Sequence, residues 1–146
     1  LGLPLKIAGS GIEEERLKDM ARGNIEILGY TSEKELKELY ANAEALIFPQ
    51  VEDFGLTAIE AMASGRPVIA YKKGGALDSI QEGKTGIFFG SQTPASLKKA
   101  VKYYLENKKK FRRSEIKEHA EQFDDKNFKK QLKKSLQEKW KNWKNS

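Results

Sequence analysis

Short apolar runs rich in β-branched residues alternate along this chain with segments of helical period, and Gly or Pro marks most of the junctions. That alternation is the pattern of a parallel α/β sheet, whose strands are buried on both faces and whose helices carry the chain back to the same end. Leu5-Lys6-Ile7-Ala8-Gly9 is the first such run, and Ile12 to Ala21 follows as a helix with Leu17, Met20 and Ala21 on one side. Ile25-Glu26-Ile27-Leu28-Gly29 is the second strand. Ser32 and Glu35 then form a capping box, opening a helix whose Leu36, Leu39, Tyr40 and Ala43 share a face. Ala45-Leu46-Ile47-Phe48 is stopped by Pro49; a helix from Gly55 or Leu56 to Ala63 ends near Gly65; Pro67 to Tyr71 is the fourth strand. Gly74-Gly75 begins a loop and short helix to about Glu82, and Gly86-Ile87-Phe88-Phe89 is the fifth strand.

From Thr93 the period is helical to the end: Thr93-Pro94 caps a helix with Leu97, Val101, Tyr104 and Leu105 inward. Two more helices follow, at about Arg112 to Phe123 and Lys126 to Trp143. The fold class expected is α/β, a Rossmann-like open parallel sheet flanked by helices, with additional C-terminal helices. At 146 residues the chain fits one domain, since domains hold roughly 100–200 residues. It starts at Leu1 and not Met, which leads us to expect a piece of something longer.

Composition removes several chemistries. Without cysteine there is no thiol nucleophile, disulfide or Cys-based zinc site, and the one histidine, His119, rules out His-cluster metal centres. We read His119 as a packed or surface residue. No apolar run approaches the ~20 residues of a membrane span, so the expected location is cytoplasmic. The net charge of +6 belongs to the tail: residues 108–146 hold 14 basic against 6 acidic residues, and the first 107 hold 13 against 15. Because the body is close to neutral, without a basic face interleaved with aromatics, nucleic acid is not an expected partner. Phe128, Leu132, Leu136, Trp140 and Trp143 form an apolar stripe on the Lys-rich last helix. Such a helix docks on protein, the reading we favour, or lies on an anionic membrane surface.

Ligands of open parallel sheets sit beyond the carboxyl ends of the strands. After the first strand, Gly9-Ser10-Gly11 resembles a phosphate-binding turn but lacks its third glycine, and Glu13-Glu14-Glu15 would repel a diphosphate. A tight turn close to a ligand is the better reading. After the third strand, Phe54-Gly55-Leu56 stands where strand hands over to helix, so first-turn amides face the crevice and suit phosphate or sugar hydroxyls. Glu60, in that helix, has the geometry to accept two hydrogen bonds from a vicinal diol such as a ribose, and Glu52 is placed to reach the other end of the same ligand. On spacing alone, a solvated loop acid at 52 and a helix-surface acid at 60 stand equally well. Apolar neighbours from Ala58 to Ala63 favour the functional reading, because a carboxylate among them needs a partner.

Glu52 and Glu60 around Phe-Gly-Leu, then EAMASGRPVIA from Glu60 to Ala70 and the pair Gly74-Gly75, resemble the signature of the family-four retaining glycosyltransferases of GT-B architecture. LKIAGSG, IEILGY, LYANAEALIFP and TGIFF fall in the family's order, so the resemblance covers most of the chain. It implies the C-terminal, donor-binding half of a two-domain enzyme spanning residues 1–146, with 108–146 a basic helical tail of the same domain and the N-terminal acceptor domain as its partner. The substrate implied is a nucleoside-diphosphate sugar, with no cofactor and no metal required, and the sugar passes to an acceptor hydroxyl with retention. Glu60 would hold the ribose, and Glu52, the catalytic candidate, the donor sugar. Backbone amides of Phe54, Gly55, Leu56 and Thr57 would meet sugar and phosphates, Tyr30 would wall the base, and Gly9, Gly11, Gly74 and Gly75 would shape the approach. An Arg and a Lys that the family places upstream are absent, so the isolated chain is expected to be inactive. Lys72 and Lys73 face the crevice as candidate phosphate contacts, whereas Arg66 precedes a strand at the wrong end. Two other readings remain, a non-catalytic nucleotide-sugar-binding module and half of a sugar-nucleotide epimerase; the Phe-Gly-Leu insertion favours the transferase over the latter.

Overall fold

The computed structural model describes residues 1–144. The last two residues of the tail assigned to 108–146 lie outside the described residues. The chain separates into two compact units, Leu1–Ala43 and Glu44–Ser146.

The first unit runs β1 (Leu5–Ala8), α1 (Glu14–Met20), β2 (Ile25–Gly29) and α2 (Glu33–Asn42). β1 and β2 pair in parallel, with Leu5 opposite Ile25 and Ile7 opposite Ile27, and the register shifts by one after Ile7 so that Ala8 meets Gly29. Leu5 and Ile7 point inward, while Lys6 and Glu26, opposite one another, form a 3.0 Å ion pair outside. The capping box forms as the sequence requires: the Ser32 hydroxyl accepts from the Glu35 amide, and the Glu35 carboxylate accepts from the Ser32 amide at 2.8 Å. α1 is shorter than expected. Gly11 O accepts from Glu14 N in a turn, which leaves Ile12 fully exposed, and Met20 is 61% exposed, so the inward side narrows to Leu17 and Ala21. Tyr40 is the buried hydrophobic residue of this unit.

The second unit carries β3 (Leu46–Phe48), α3 (Leu56–Ala63), β4 (Val68–Tyr71), α4 (Ala76–Ser79), β5 (Gly86–Phe89), α5 (Pro94–Asn107), α6 (Arg113–Ala120) and α7 (Asp125–Lys144). Its sheet is parallel in the order β3-β4-β5, with Val68 between Leu46 and Gly86. Among the described residues the strands form two sheets of two and three, each parallel as the alternation demands. Val68, Ile69 and Ala70 of the central strand are buried, as are Phe48, Ala58, Ala61, Met62 and Ile116 around them. Gly86 is required by this packing, because a Cβ there would run into the Val68 carbonyl oxygen. Thr93 caps α5 through the Ser96 amide, with Pro94 in the first turn. Its buried stripe is Ala100, Val101 and Tyr104, while Leu105 is 38% exposed. α7 buries none of its residues, and the stripe from Phe128 to Trp143 is open to solvent. No helix among the described residues is long and apolar enough to cross a membrane.

Candidate functional site

Parallel strands deliver β3 and β4 to the same end of the sheet, and the loops that leave them, 49–55 and 72–75, lie backbone against backbone. Gly75 N donates to Glu52 O at 2.8 Å. A Cβ on Gly74 would sit 2.6 Å from that same carbonyl oxygen, and one on Gly75 would strike the Asp53 carbonyl and come within 2.7 Å of Phe54 Cα. The glycine pair therefore exists to let two main chains touch. Next to it, Gly55 adopts φ +80° at the head of α3, where a Cβ would lie 3.2 Å from Phe48 Cζ. Left-handed backbone and close approach both demand glycine there. With glycine at its cap and no acid in its first turn, α3 opens with its positive dipole end unmodified by either device, whereas α1 opens on Glu14 and Glu15 and α2 on its capping box.

Glu52 is half-buried in the first of these loops, its carboxylate accepting from Gln50 Nε2 at 3.0 Å. Glu60 is exposed. This corrects the expectation of an apolar neighbourhood. A helix turns about 100° per residue, so the neighbours Ala58, Ala61 and Met62 face the core, while Glu60 shares the outer face with Leu56, itself 63% exposed. Thr57 is half-buried in the first turn. Phe54 is 52% exposed and meets Phe123 edge-on at 6.2 Å. Phe123 packs in turn on His119, whose Nε2–H donates to the Ser79 carbonyl at 2.7 Å while Nδ1 accepts from Gln122. His119 thus holds α6 to α4 and supports Phe54 from behind, the packed role expected of it. Gln92 Nε2 donates to Pro49 O at 2.8 Å and ties the exit of β5 to that of β3.

Sequence reasoning missed the supports: Gln50, Gln92 and Phe123. Each acts through a contact between segments or a side-chain rotamer, and no local spacing announces it. Of the cations considered, Lys72 pairs with Glu82 at 3.5 Å and stands over the Phe88 ring, and Lys73 is exposed. Arg66 lies in the turn between α3 and β4, at the amino end of the strands as expected, and is 5% exposed. Two cavities of this unit, of about 290 and 500 Å³, are lined by other residues than Glu52, Phe54, Gly55 or Glu60.

Gly9, Gly11 and Tyr30 belong to the other unit, at or just past the carboxyl ends of β1 and β2. Gly9 has φ +122° and its amide donates to Gly29 O at 2.8 Å; Tyr30 is 83% exposed. The three glutamates there are drawn into local ion pairs, Glu13 with Arg16 and both Glu14 and Glu15 with Lys18.

Several known proteins resemble this chain. A glycogen synthase of Mycobacterium tuberculosis is 33% identical over 112 residues, 73% of this chain and 27% of that enzyme. An uncharacterized glycosyltransferase of Methanocaldococcus jannaschii is 36% identical over 99 residues, 64% of this chain and 25% of that protein. The chain spans about a quarter of the length of both. Among solved structures, Anabaena HepE in complex with UDP superposes with a TM-score of 0.80 over 93% of this chain and 41% of that one, at 22% identity, a likeness of fold. The pneumococcal O-GlcNAc transferase GtfA in complex with UDP and GlcNAc gives 0.74 at 27% identity, over 93% of this chain and 29% of that one. The sequence model of the glycosyl transferases group 1 matches residues 2–123, and the chain belongs to that family.

Proposed function

We propose that residues 1–146 are the donor-binding half of a retaining glycosyltransferase, which holds a nucleoside-diphosphate sugar beyond the carboxyl ends of its strands while an N-terminal domain supplies the acceptor. The observation that carries this reading is the cradle at β3 and β4: a main-chain lock between Glu52 and Gly75 beside a glycine-headed helix. Amides of Phe54, Gly55, Leu56 and Thr57 meet the phosphates there, where charge grows on the leaving diphosphate as the glycosidic bond breaks. Glu60, exposed on α3, takes the ribose diol, and Glu52, steadied by Gln50, takes the donor-sugar hydroxyls and is the catalytic candidate. Gly9, Gly11 and Tyr30 are the proposed contacts to the base, and Gly74 and Gly75 shape the donor's approach by letting the two loops lie against each other. The reaction uses no resident cofactor and no metal. The solved relatives that carry UDP make a UDP-sugar the first donor to try.

α7 supports a second, compatible element, peripheral contact between a cytoplasmic enzyme and an anionic membrane. Its stripe of Phe128, Leu132, Leu136, Trp140 and Trp143 is exposed among lysines. Docking of that stripe on the N-terminal domain uses the same residues.

The test is a titration of the ¹⁵N-labelled chain with UDP-glucose and other nucleoside-diphosphate sugars. Amide shifts concentrated at residues 52–60 and 74–75, weakened by Glu60→Gln, are expected; no shift there with any donor at millimolar concentration overturns the site. Activity of the full-length enzyme, with the anomeric configuration of its product, separates a retaining transferase from a non-catalytic module or an epimerase.

A further inference from the structure

At the other end of the second unit's sheet, where Leu46 N donates to Pro67 O at the amino ends of β3 and β4, lies the cavity of about 290 Å³. Among its lining residues are Arg66, Lys108, Lys109 and Arg113, with Glu44 as the acid and the ring of Tyr104 as a wall. Three separate segments supply the cations: the turn after α3, the 3-10 turn that follows α5, and the first residue of α6.

The packing that assembles them is deliberate. Gly65 turns the chain at φ +73°, and a Cβ there would sit 3.1 Å from Arg113 O and 3.2 Å from Lys117 Cε. Only glycine lets the head of α6 come this close, and the result sets Arg113 near Arg66. Arg66 is 5% exposed, and burial, then the charge of Arg113, pulls its pKa below the usual guanidinium value. The charge of Glu44 opposes this shift, and its side chain, 70% exposed, pairs with Lys108 at 3.6 Å. Tyr104 donates its hydroxyl to the Glu44 carbonyl at 2.9 Å, and burial raises its pKa, so it brings no negative charge to the cavity near neutrality. Lysines after α5 suit the negative end of that helix. That preference concerns the lysines after α5 and not the two arginines, which come from the turn after α3 and from the head of α6.

We infer that this cavity is an anion-binding site, distinct from the donor cradle, that takes the phosphoryl group of a phosphate monoester. Two guanidinium groups offer the forked donors that match phosphate oxygens, and the lysines add point charge. The volume lies at the lower edge of the ~300–1,000 Å³ of ordinary small-molecule pockets, which suits a phosphoryl group with a short appendage. The phosphoryl group belongs either to a soluble metabolite or to a lipid headgroup, since both present the same dianion.

The experiment follows amide shifts of the ¹⁵N-labelled chain with inorganic phosphate, glycerol 3-phosphate, sodium chloride at matched ionic strength, and vesicles of phosphatidylcholine with or without phosphatidic acid. Saturable shifts at Gly65, Arg66 and Arg113 with phosphate, absent with chloride, are expected. Lys109→Gln and Arg113→Gln, both at exposed positions, each weaken phosphate binding by about tenfold, the loss of one charge-assisted hydrogen bond. Circular dichroism confirms that these variants stay folded. Saturation by glycerol 3-phosphate supports the site with a soluble ligand; saturation only by vesicles containing phosphatidic acid supports it with a lipid one. Equal shifts with chloride, shifts confined to α7, or unchanged affinity in Arg113→Gln overturn it. Because the readout is at residues 65, 66 and 113, failure here leaves the cradle at 52–60 untouched, and the converse holds.

Discussion

The two units are built from the same vocabulary, parallel strands alternating with helices, yet differ sharply in how much they hide from water. The first buries Tyr40 among its hydrophobic residues and otherwise half-buries Leu5, Ile7, Leu17 and Leu36. The second buries a continuous core from Phe48 through Met62, Val68 and Ile69 to Ile116, around a strand flanked on both sides. A two-stranded sheet has no central strand, so the difference follows from strand number as much as from composition. It teaches that local signals, such as caps, hold the first unit's elements in shape, while packing holds the second's.

The contrast is broken or sharpened by five substitutions, taken in three steps. The largest effect is expected at the glycine lock of the second unit. Gly75→Val drives a branched side chain into the Asp53 carbonyl and Phe54 Cα and costs about 4 kcal/mol or more, in the exceptional range for single changes. Gly11→Ala in the first unit meets nothing within 4 Å and stays within about 0.5 kcal/mol. Urea denaturation of both variants checks this, and equal losses would end the comparison. Next comes Met62→Ala, which opens a cavity at a fully buried site and costs about 2–5 kcal/mol, against about 1 kcal/mol or less for Leu17→Ala on the half-buried α1. The smallest effect is local. Ser32→Ala removes the cap of α2 and costs about 1 kcal/mol. The Ser32 hydroxyl, and after it the Ser32 amide, holds the Glu35 carboxyl below its usual pKa. The stability that Glu35 contributes is therefore complete above the ordinary carboxylate pKa and disappears as pH falls through the depressed one. Thermal melts across the acid range would show a shallower acid limb in Ser32→Ala than in the parent.

What was legible in the sequence was what neighbours in sequence decide. Ser32 with Glu35, Thr93 with Pro94, the end of α3 before Gly65 and the span of β5 from Gly86 all stand where pattern and cap chemistry put them. The division of the strands into two sheets was not legible, because pairing joins residues far apart in the chain. Nor was the outward face of Glu60, since apolar neighbours in sequence describe a helix's composition and not its rotation. Within α5, Ala100 faces inward with Val101 and Tyr104, while Leu105, expected inward, is 38% exposed, because the buried face runs along residues 100, 101 and 104. At the candidate site the glycines and acids were visible as residues. That Gly74 and Gly75 serve contact between two loops, and that Gln50 braces Glu52, required the tertiary structure.

The grip of the Gly75 amide falls on a peptide oxygen of residue 52 and on no side chain. Side chains at 51 and 53 can change while the residue 52 oxygen held by Gly75 stays in place, whereas Phe54 also packs on Phe123. Libraries randomised at Val51 and Asp53 can therefore vary the surface beside this clasp without removing the oxygen it holds.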